Sequence, residues 1–150
     1  PETHRAMPIQ KLLAGPLGPL ISLLTTERRF AQGFPAVFGP RTKPSPAELA
    51  DFWRLLSHDG GHRLIRYMEE RRTNRERWVT PLTTTRVPLR LVNGPEDPVS
   101  GAHLAARYHE LVPDADVVSL PGIGHYPQVE DPDGVLRAFF AFHDARFGEA

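Results

Sequence analysis

The sequence predicts an α/β fold in which a helical region is followed by two parallel strands with flanking helices. Residues 88–92 and 115–120 are short apolar runs of strand length, whereas residues 101–112 and 131–147 have the apolar spacing of helices. Strands and helices that alternate in this way form right-handed crossover units of a parallel sheet. Because two parallel strands do not make a stable sheet alone, we expect further strands beside them.

Residues 1–86 are predicted to be helical. Apolar side chains recur at helical spacing from Ile9 to Leu24, and Gly15-Pro16 and Gly18-Pro19 divide this stretch into two short helices. Residues 30–45 are rich in glycine and proline, so we expect a loop there. The chain has 16 prolines among its 150 residues, which is well above the usual share of about 5%. This excess of proline favours short helices and strands.

Two further helices are predicted before the first strand. Ser45 is suited to be an N-cap, with Pro46 as the first helical residue and Glu48 completing a Ser-x-x-Glu capping box. Asp59-Gly60-Gly61 is expected to end this helix. Residues 64–78 form the next predicted helix. The residues expected on the apolar faces of the two helices are Leu49, Phe52, Trp53, Leu56, Leu64, Ile65, Tyr67, Met68 and Trp78.

The composition excludes several classes of function. The chain has 150 residues, 40% of them hydrophobic and 24% charged, as in a globular domain, and no apolar run has the ~18 residues of a membrane span. Lys plus Arg equals Asp plus Glu at 18 each, which argues against binding to nucleic acid or to an anionic membrane surface. The absence of cysteine excludes disulfides and thiolate nucleophiles and is compatible with the cytoplasm, our expected location.

Because the sequence starts at Pro1 without a methionine or a signal peptide, we expect a fragment or a processed product.

Asp97 and His125 are the candidate catalytic residues. Asp97 lies in Asn93-Gly94-Pro95-Glu96-Asp97-Pro98-Val99, after the first predicted strand, and His125 lies in Gly122-Ile123-Gly124-His125-Tyr126-Pro127, after the second. Catalytic groups collect at the carboxyl ends of parallel strands, so we expect both side chains in one crevice. A carboxylate there orients the imidazole and stabilises the imidazolium when the histidine accepts a proton. Each residue alone could equally form a turn or cap a loop, but the pair in this order favours the second half of a Ser…Asp…His relay.

The first half of such a relay is absent, because no serine lies in a Gly-x-Ser-x-Gly turn. Ser100 is the serine nearest to Asp97 in sequence, and its position favours an N-cap of the following helix. His58 and His62 are four residues apart, but the glycines between them interrupt a helix, so we expect no metal site.

Together these motifs resemble the C-terminal part of the α/β-hydrolase family, in the branch of the epoxide hydrolases and haloalkane dehalogenases. Residues 87–142 carry the core resemblance. More narrowly, Pro1-Glu2-Thr3-His4-Arg5, Val37-Phe38-Gly39-Pro40, Arg77-Trp78-Val79 and residues 125–132 resemble the mesoderm-specific transcript group and its bacterial relatives. The resemblance extends over essentially the whole chain.

The resemblance implies that residues 1–86 are a helical cap and that residues 87–150 are the last part of the hydrolase core. It implies that Asp97 and His125 are the acid and the base of a triad whose nucleophile, serine or aspartate, lies outside these residues. It further implies hydrolysis of an ester or epoxide on a small apolar substrate, without metal or organic cofactor. Tyr67 could then bind the epoxide oxygen or be a core tyrosine, and Tyr126 could line the pocket or pack beneath the loop.

A second interpretation is a truncated, inactive chain that binds a ligand or associates with other chains. The expected open sheet edge would then pair with the complementary N-terminal half of the hydrolase or with a second copy.

Overall fold

A computed structural model describes residues 3–58, 70–71 and 73–148 of the chain. Two strands, β1 (Arg90–Asn93) and β2 (Asp116–Ser119), form a parallel sheet. The helices before the sheet are α1 (Pro8–Ala14), α2 (Gly18–Leu23), α3 (Glu27–Gly33), a 3₁₀ helix (Phe34–Val37), α4 (Pro46–His58) and α5 (Arg75–Thr84). Helix α6 (Ala102–Leu111) joins the strands, and α7 (Pro127–Glu130) and α8 (Pro132–Phe147) follow them.

The parallel pairing predicted from the sequence is confirmed. Arg90 lies opposite Asp116, and the register continues to Asn93 opposite Ser119. Helices α6 and α8 both pack against β1. The carboxyl ends of both strands therefore lie at one edge, where the two candidate catalytic turns begin.

Arg90 ties the sheet to the last helix. Its guanidinium binds both carboxylate oxygens of Asp116 across the strands, at 2.9 and 3.0 Å from Nε, and donates to the carbonyl oxygen of Ala138 in α8 at 2.7 Å. It also lies 5.3 Å from the ring centre of Phe142, within the range of a cation–π contact. This side chain therefore links both strands to α8.

The capping box and the division of the first helical stretch are confirmed. The backbone N–H and the hydroxyl of Ser45 both donate to the Glu48 carboxylate at 2.7 Å, and the N–H of Glu48 donates back to the Ser45 hydroxyl oxygen. The apolar stretch from Ile9 to Leu24 forms two helices, α1 and α2. The predicted helix end at Asp59-Gly60-Gly61 lies outside the described residues.

The loop predicted over residues 30–45 is wrong in its first half, because α3 and the 3₁₀ helix extend through residue 37. Thr26 caps α3, and Pro35 occupies the first turn of the 3₁₀ helix, where its missing N–H leaves no hydrogen bond unmade. The rings of Phe30 and Phe34 stack with centres 4.5 Å apart. Packing of aromatic side chains therefore overrides the helix-breaking residues here.

Several large apolar side chains of α8 are exposed. Leu136, Phe139 and Phe140 are 50%, 54% and 55% exposed, and the small residues Gly134 and Ala138 are buried instead. Small residues allow the helix axis to approach β1 closely. The large apolar side chains consequently face outward in the part of the chain that the structure describes.

The hydrophobic core lies directly beneath the candidate site. Val37, Phe38 and Val99 form its buried centre, and the side chains packed around them are Met7, Phe34, Phe52 and Tyr126. Val99 follows Asp97 by two residues. The turn of residues 94–99 that carries Asp97, here called the acid turn, is therefore anchored in the core. Among the described helices, none has both the length and the apolarity needed to cross a lipid bilayer.

Candidate active site

Asp97 lies on the turn that leaves β1, and its carboxylate is almost completely buried. Oδ1 accepts a hydrogen bond from the N–H of Val99 at 2.8 Å, and Oδ2 accepts from the N–H and the hydroxyl of Ser100 at 3.0 and 2.6 Å. The side-chain amide of Asn93, the last residue of β1, donates to the carbonyl oxygen of Ser100 at 3.1 Å. The turn is therefore folded around the carboxylate.

His125 completes the hydrogen bonding of this carboxylate. Its Nδ1 lies 2.7 Å from Oδ2 of Asp97, and its side chain is 33% exposed, against 5% for the side chain of Asp97. An ionised carboxylate only accepts hydrogen bonds, so Nδ1 carries the proton and Nε2 is the basic nitrogen. The structure thus brings together the two residues that the sequence singled out, in the arrangement of an acid–histidine pair.

The carboxylate is held in its ionised form. Burial by itself would raise the pKa of Asp97, but the hydrogen bonds from His125, Ser100 and Val99 outweigh burial and keep the pKa below its ordinary value of 3.8. A carboxylate that stays ionised near neutral pH can stabilise a positive charge on His125. This is the electrostatic condition for proton transfer through the imidazole.

The two turns meet through their glycines. A Cβ on Gly94 would overlap with the carbonyl oxygen of Gly124, and a Cβ on Gly124 would overlap with the carbonyl oxygen of Val37. The N–H of Glu96 donates to the carbonyl oxygen of Ile123 at 3.0 Å. This hydrogen bond links the acid turn to the turn of residues 122–127 that carries His125, here called the histidine turn. Gly94 therefore permits the backbone contact that places Asp97 beside His125, and Gly124 permits the close approach to Val37.

Glu130 is a site residue that sequence reasoning missed. Its Oε2 accepts hydrogen bonds from the N–H groups of Gly39 and Gly124, both at 2.8 Å, and from the hydroxyl of Thr42 at 2.5 Å. Its Oε1 accepts from the N–H of Tyr126 at 3.0 Å. Burial would raise the pKa of Glu130, but these four hydrogen bonds hold it below its ordinary value. The sequence offers little to identify Glu130 as a site residue. It is an acid five residues after His125, and it ends the short segment that begins at Pro127.

Tyr126 connects the histidine to a cluster of aromatic rings. Its ring centre lies 5.2 Å from Phe38, 5.5 Å from Phe52 and 5.7 Å from Phe34, and it meets the ring of His125 edge-on at 4.9 Å. Tyr126 thus packs on these rings, and its role in lining a substrate pocket stays a prediction. Tyr67, the other predicted substrate-binding residue, lies outside the described residues.

Ser100 is not the N-cap that the sequence predicted. Gly101 occupies the cap of α6, and the Ser100 hydroxyl donates to Asp97 instead. The reason is the short carboxylate turn, which draws both the N–H and the hydroxyl of Ser100 toward Oδ2. Since this hydroxyl donates to the acid rather than to His125, Ser100 does not have the contact expected of a nucleophile.

His4 brings a second imidazole close to the pair. Both of its ring nitrogens are buried, and neither has a hydrogen-bond partner among the residues that the structure describes. Burial, reinforced by the charges of Arg71 and His125, lowers its pKa, and Asp97 only partly opposes this. The N–H of the next residue, Arg5, donates to the carbonyl oxygen of Val99 at 3.1 Å, so this segment is fastened to the acid turn.

An apolar groove of about 340 Å³ lies between α5, β1 and α6, and Asp97 and His125 are not among its lining residues. Its apolar lining includes Val79, Leu82, Leu89, Leu91 and Leu104. Within the described ranges, no three His, Asp or Glu side chains are grouped as a metal ion would require. The sequence predicted no metal site at His58 and His62, and His62 lies outside the described residues.

Comparison with known proteins relates most of the chain to larger proteins. No family profile matches it. The mesoderm-specific transcript protein of Mus musculus is 37% identical in an alignment of 150 positions that covers 95% of this chain and 45% of that protein. The homologue from Homo sapiens is 38% identical with the same coverage. LipZ of Mycobacterium tuberculosis, named as a hydrolase, is 40% identical in an alignment of 135 positions that covers 87% of this chain and 47% of that protein.

The chain thus spans about half the length of the curated relatives it matches. It is a homologue of a segment of the mesoderm-specific transcript proteins and of LipZ, which supports the hydrolase relationship that its motifs indicated.

Proposed function

We propose that this chain supplies the acid and the histidine of a hydrolase that cleaves an ester or an epoxide on a small apolar substrate. The observation that carries the proposal is the 2.7 Å hydrogen bond between Nδ1 of His125 and the buried carboxylate of Asp97. These residues follow two adjacent parallel strands at their carboxyl ends, where α/β folds collect catalytic groups. The hydrolase name of a relative at 40% identity supports the same class of chemistry.

In the proposed mechanism, His125 moves protons and Asp97 holds it in place. With Nδ1–H bound to Asp97, Nε2 accepts the proton of the attacking group, and the carboxylate stabilises the imidazolium that forms. If the nucleophile is a serine, this proton comes from its hydroxyl. If the nucleophile is an aspartate, its carboxylate attacks an epoxide carbon directly, the ring C–O bond breaks and the freed oxygen takes up a proton. His125 then takes a proton from the water that cleaves the covalent ester. We propose that the nucleophile comes from outside the described residues.

The proposed roles of the two regions follow the same family pattern. Residues 1–86 would form the cap and residues 87–150 the end of the core. The aromatic cluster of Phe34, Phe38 and Phe52 packs against Tyr126 beside His125. Phe34, Phe52 and Tyr126 are only partly buried, and their apolar rings near His125 support an apolar substrate. The proposed hydrogen bond from Tyr67 to an epoxide oxygen rests on the family resemblance.

The test is hydrolysis of a short-chain p-nitrophenyl ester and of styrene oxide by the protein at its full natural length. His125→Gln is compared with His143→Gln, which changes an exposed histidine of α8. We expect the first variant to lose about 10²- to 10⁴-fold in kcat, the contribution of a general base, and the second to keep its activity. Equal kcat values for wild type and His125→Gln would overturn the proposal.

The same variant distinguishes the two nucleophiles. With an aspartate nucleophile, His125→Gln blocks only the second step, so a covalent substrate ester accumulates and mass spectrometry of the protein detects it. With a serine nucleophile, the loss of His125 blocks the first step, so no adduct forms. The presence or absence of the adduct thus identifies the reaction branch even while the natural substrate is unidentified.

A second candidate function is association without catalysis. Leu136, Phe139 and Phe140 are exposed on α8, and the groove between α5, β1 and α6 is apolar. Large exposed apolar surfaces mark interaction sites. In this case the complementary N-terminal half or a second copy covers them. Concentration-dependent dimerisation, together with hydrolysis that stays at background and is insensitive to His125→Gln, would favour this candidate.

A further inference from the structure

We infer that Glu130 is the positioning residue of His125 and that its carboxylate locks the histidine turn onto the loop formed by residues 37–42. The catalytic part of this inference rests on the proposed function. The geometric part rests on four hydrogen bonds to one side chain and can be tested separately.

Glu130 binds the backbone on both sides of the histidine. The N–H groups of Gly124 and Tyr126, the residues directly before and after His125, donate to its carboxylate at 2.8 and 3.0 Å. The N–H of His125 itself donates to the carbonyl oxygen of Val37 at 2.9 Å. Three consecutive amides are thereby held, which leaves the histidine backbone little freedom to rotate.

The same carboxylate reaches a loop far away in sequence. Oε2 accepts from the N–H of Gly39 at 2.8 Å and from the Thr42 hydroxyl at 2.5 Å. This loop contributes the carbonyl group of Val37 that binds His125 and the ring of Phe38 that packs on Tyr126. Glu130 therefore joins the two segments whose contact determines where the imidazole points.

Only an ionised carboxylate fits this arrangement. All four groups around Glu130 are donors, and their hydrogen bonds outweigh burial in setting its pKa, so the side chain stays charged. A carboxamide offers one acceptor oxygen and an NH₂ group. If the carboxamide oxygen of the Glu130→Gln variant takes the place of Oε2, the three hydrogen bonds to that position are kept. The NH₂ group then faces the N–H of Tyr126, and the fourth hydrogen bond is lost. Glu130→Gln should therefore release the turn on the side of His125 that leads to Tyr126.

The experiment compares Glu130→Gln, Thr42→Val and Asp133→Asn in the full-length protein. Asp133 is a matched control, because it is an exposed acid three residues further along the chain. Hydrolysis gives kcat and KM separately, and proton NMR follows the downfield resonance of the Nδ1–H that His125 shares with Asp97. We expect Glu130→Gln to lower kcat about ten- to a hundredfold with little change in KM, as for a misplaced catalytic group. The Nδ1–H resonance should shift or broaden.

Thr42→Val removes one donor and leaves the carboxylate in place, so we expect a smaller loss of kcat in the same direction. Asp133→Asn should match wild type in both measurements. A folded Glu130→Gln protein with unchanged kcat and unchanged resonance would overturn the inference. If Glu130→Gln does not fold, Thr42→Val decides in the same way. If wild type hydrolyses neither substrate, the proposed function fails, and the NMR resonance alone decides whether Glu130 positions His125.

Discussion

Replacing Asp97 by asparagine tests how this site depends on a negative charge. The carboxylate accepts four hydrogen bonds, one at Oδ1 and three at Oδ2. An asparagine can place its oxygen at either position. With oxygen at the Oδ2 position it keeps the bonds from Ser100 and His125 and loses only the bond from Val99. We therefore expect this orientation, in which His125 retains its proton on Nδ1.

The magnitude of the loss follows from the charge rather than from the tautomer. Two unit charges about 4 Å apart attract each other by about 4 kcal/mol at an effective dielectric constant of about 20. Because His125 is 33% exposed, solvent weakens this attraction, and we expect kcat to fall by about two to three orders of magnitude. The buried N–H of Val99 is left facing an NH₂ group, which should cost about 1–3 kcal/mol in the free energy of unfolding.

The assay measures kcat against pH for wild type and Asp97→Asn, with urea denaturation to follow stability and proton NMR to follow the Nδ1–H of His125. Retention of the downfield resonance with a kcat loss of two to three orders of magnitude is the expected result. A loss of less than about tenfold would refute the electrostatic role of Asp97. A loss near 10⁴-fold without the resonance, as for a wrong tautomer, would refute the predicted orientation.

Three further substitutions test other contacts of the site. Ser100→Ala removes a 2.6 Å hydrogen bond to Asp97, so urea denaturation should show a loss of about 1 kcal/mol, and an unchanged stability would contradict this contact. Gly124→Ala overlaps with backbone and should destabilise by more than about 1 kcal/mol, whereas Gly33→Ala, which meets no atom within 4 Å, should be neutral or slightly stabilising in the same assay. His4 has a lowered pKa, so protonation favours the unfolded chain and stability should fall as the pH drops below 6.5; His4→Phe should remove that part of the pH dependence, and parallel stability curves would contradict it.

The features that the sequence predicted depend on local patterns. The strand–helix–strand order follows from short apolar runs and helical spacing. That order predicted that Asp97 and His125 lie close together, because adjacent parallel strands end at one edge of the sheet. The capping box at Ser45 and Glu48 needs only four consecutive residues. Such patterns are complete within a short window, so a single sequence is enough to read them.

The features that were missed depend on which of several possible contacts the folded chain makes. Glu130 acquires its role only because the loop at Gly39 and Thr42 folds against it, although 91 and 88 positions of the chain separate them. The helix over Phe30 and Phe34 forms because their rings pack together, against the local preference of the glycines and prolines. The hydroxyl of Ser100 turned to Asp97 because the carboxylate was a stronger partner than the start of a helix. Of these three contacts, that of Glu130 joins distant segments, whereas the contacts of Phe30 with Phe34 and of Asp97 with Ser100 are local, and the sequence alone did not show which local contact would form.

The central claim is that Asp97 and His125 act as one unit in hydrolysis. A double-mutant cycle in the full-length protein tests it, with kcat measured for Asp97→Asn, His125→Gln and the variant with both changes. Residues that act through one another have strongly non-additive effects. We predict that the double variant has the kcat of His125→Gln alone, because Asp97 contributes only through the imidazole. Two losses that multiply would show that these residues act independently and would contradict the account.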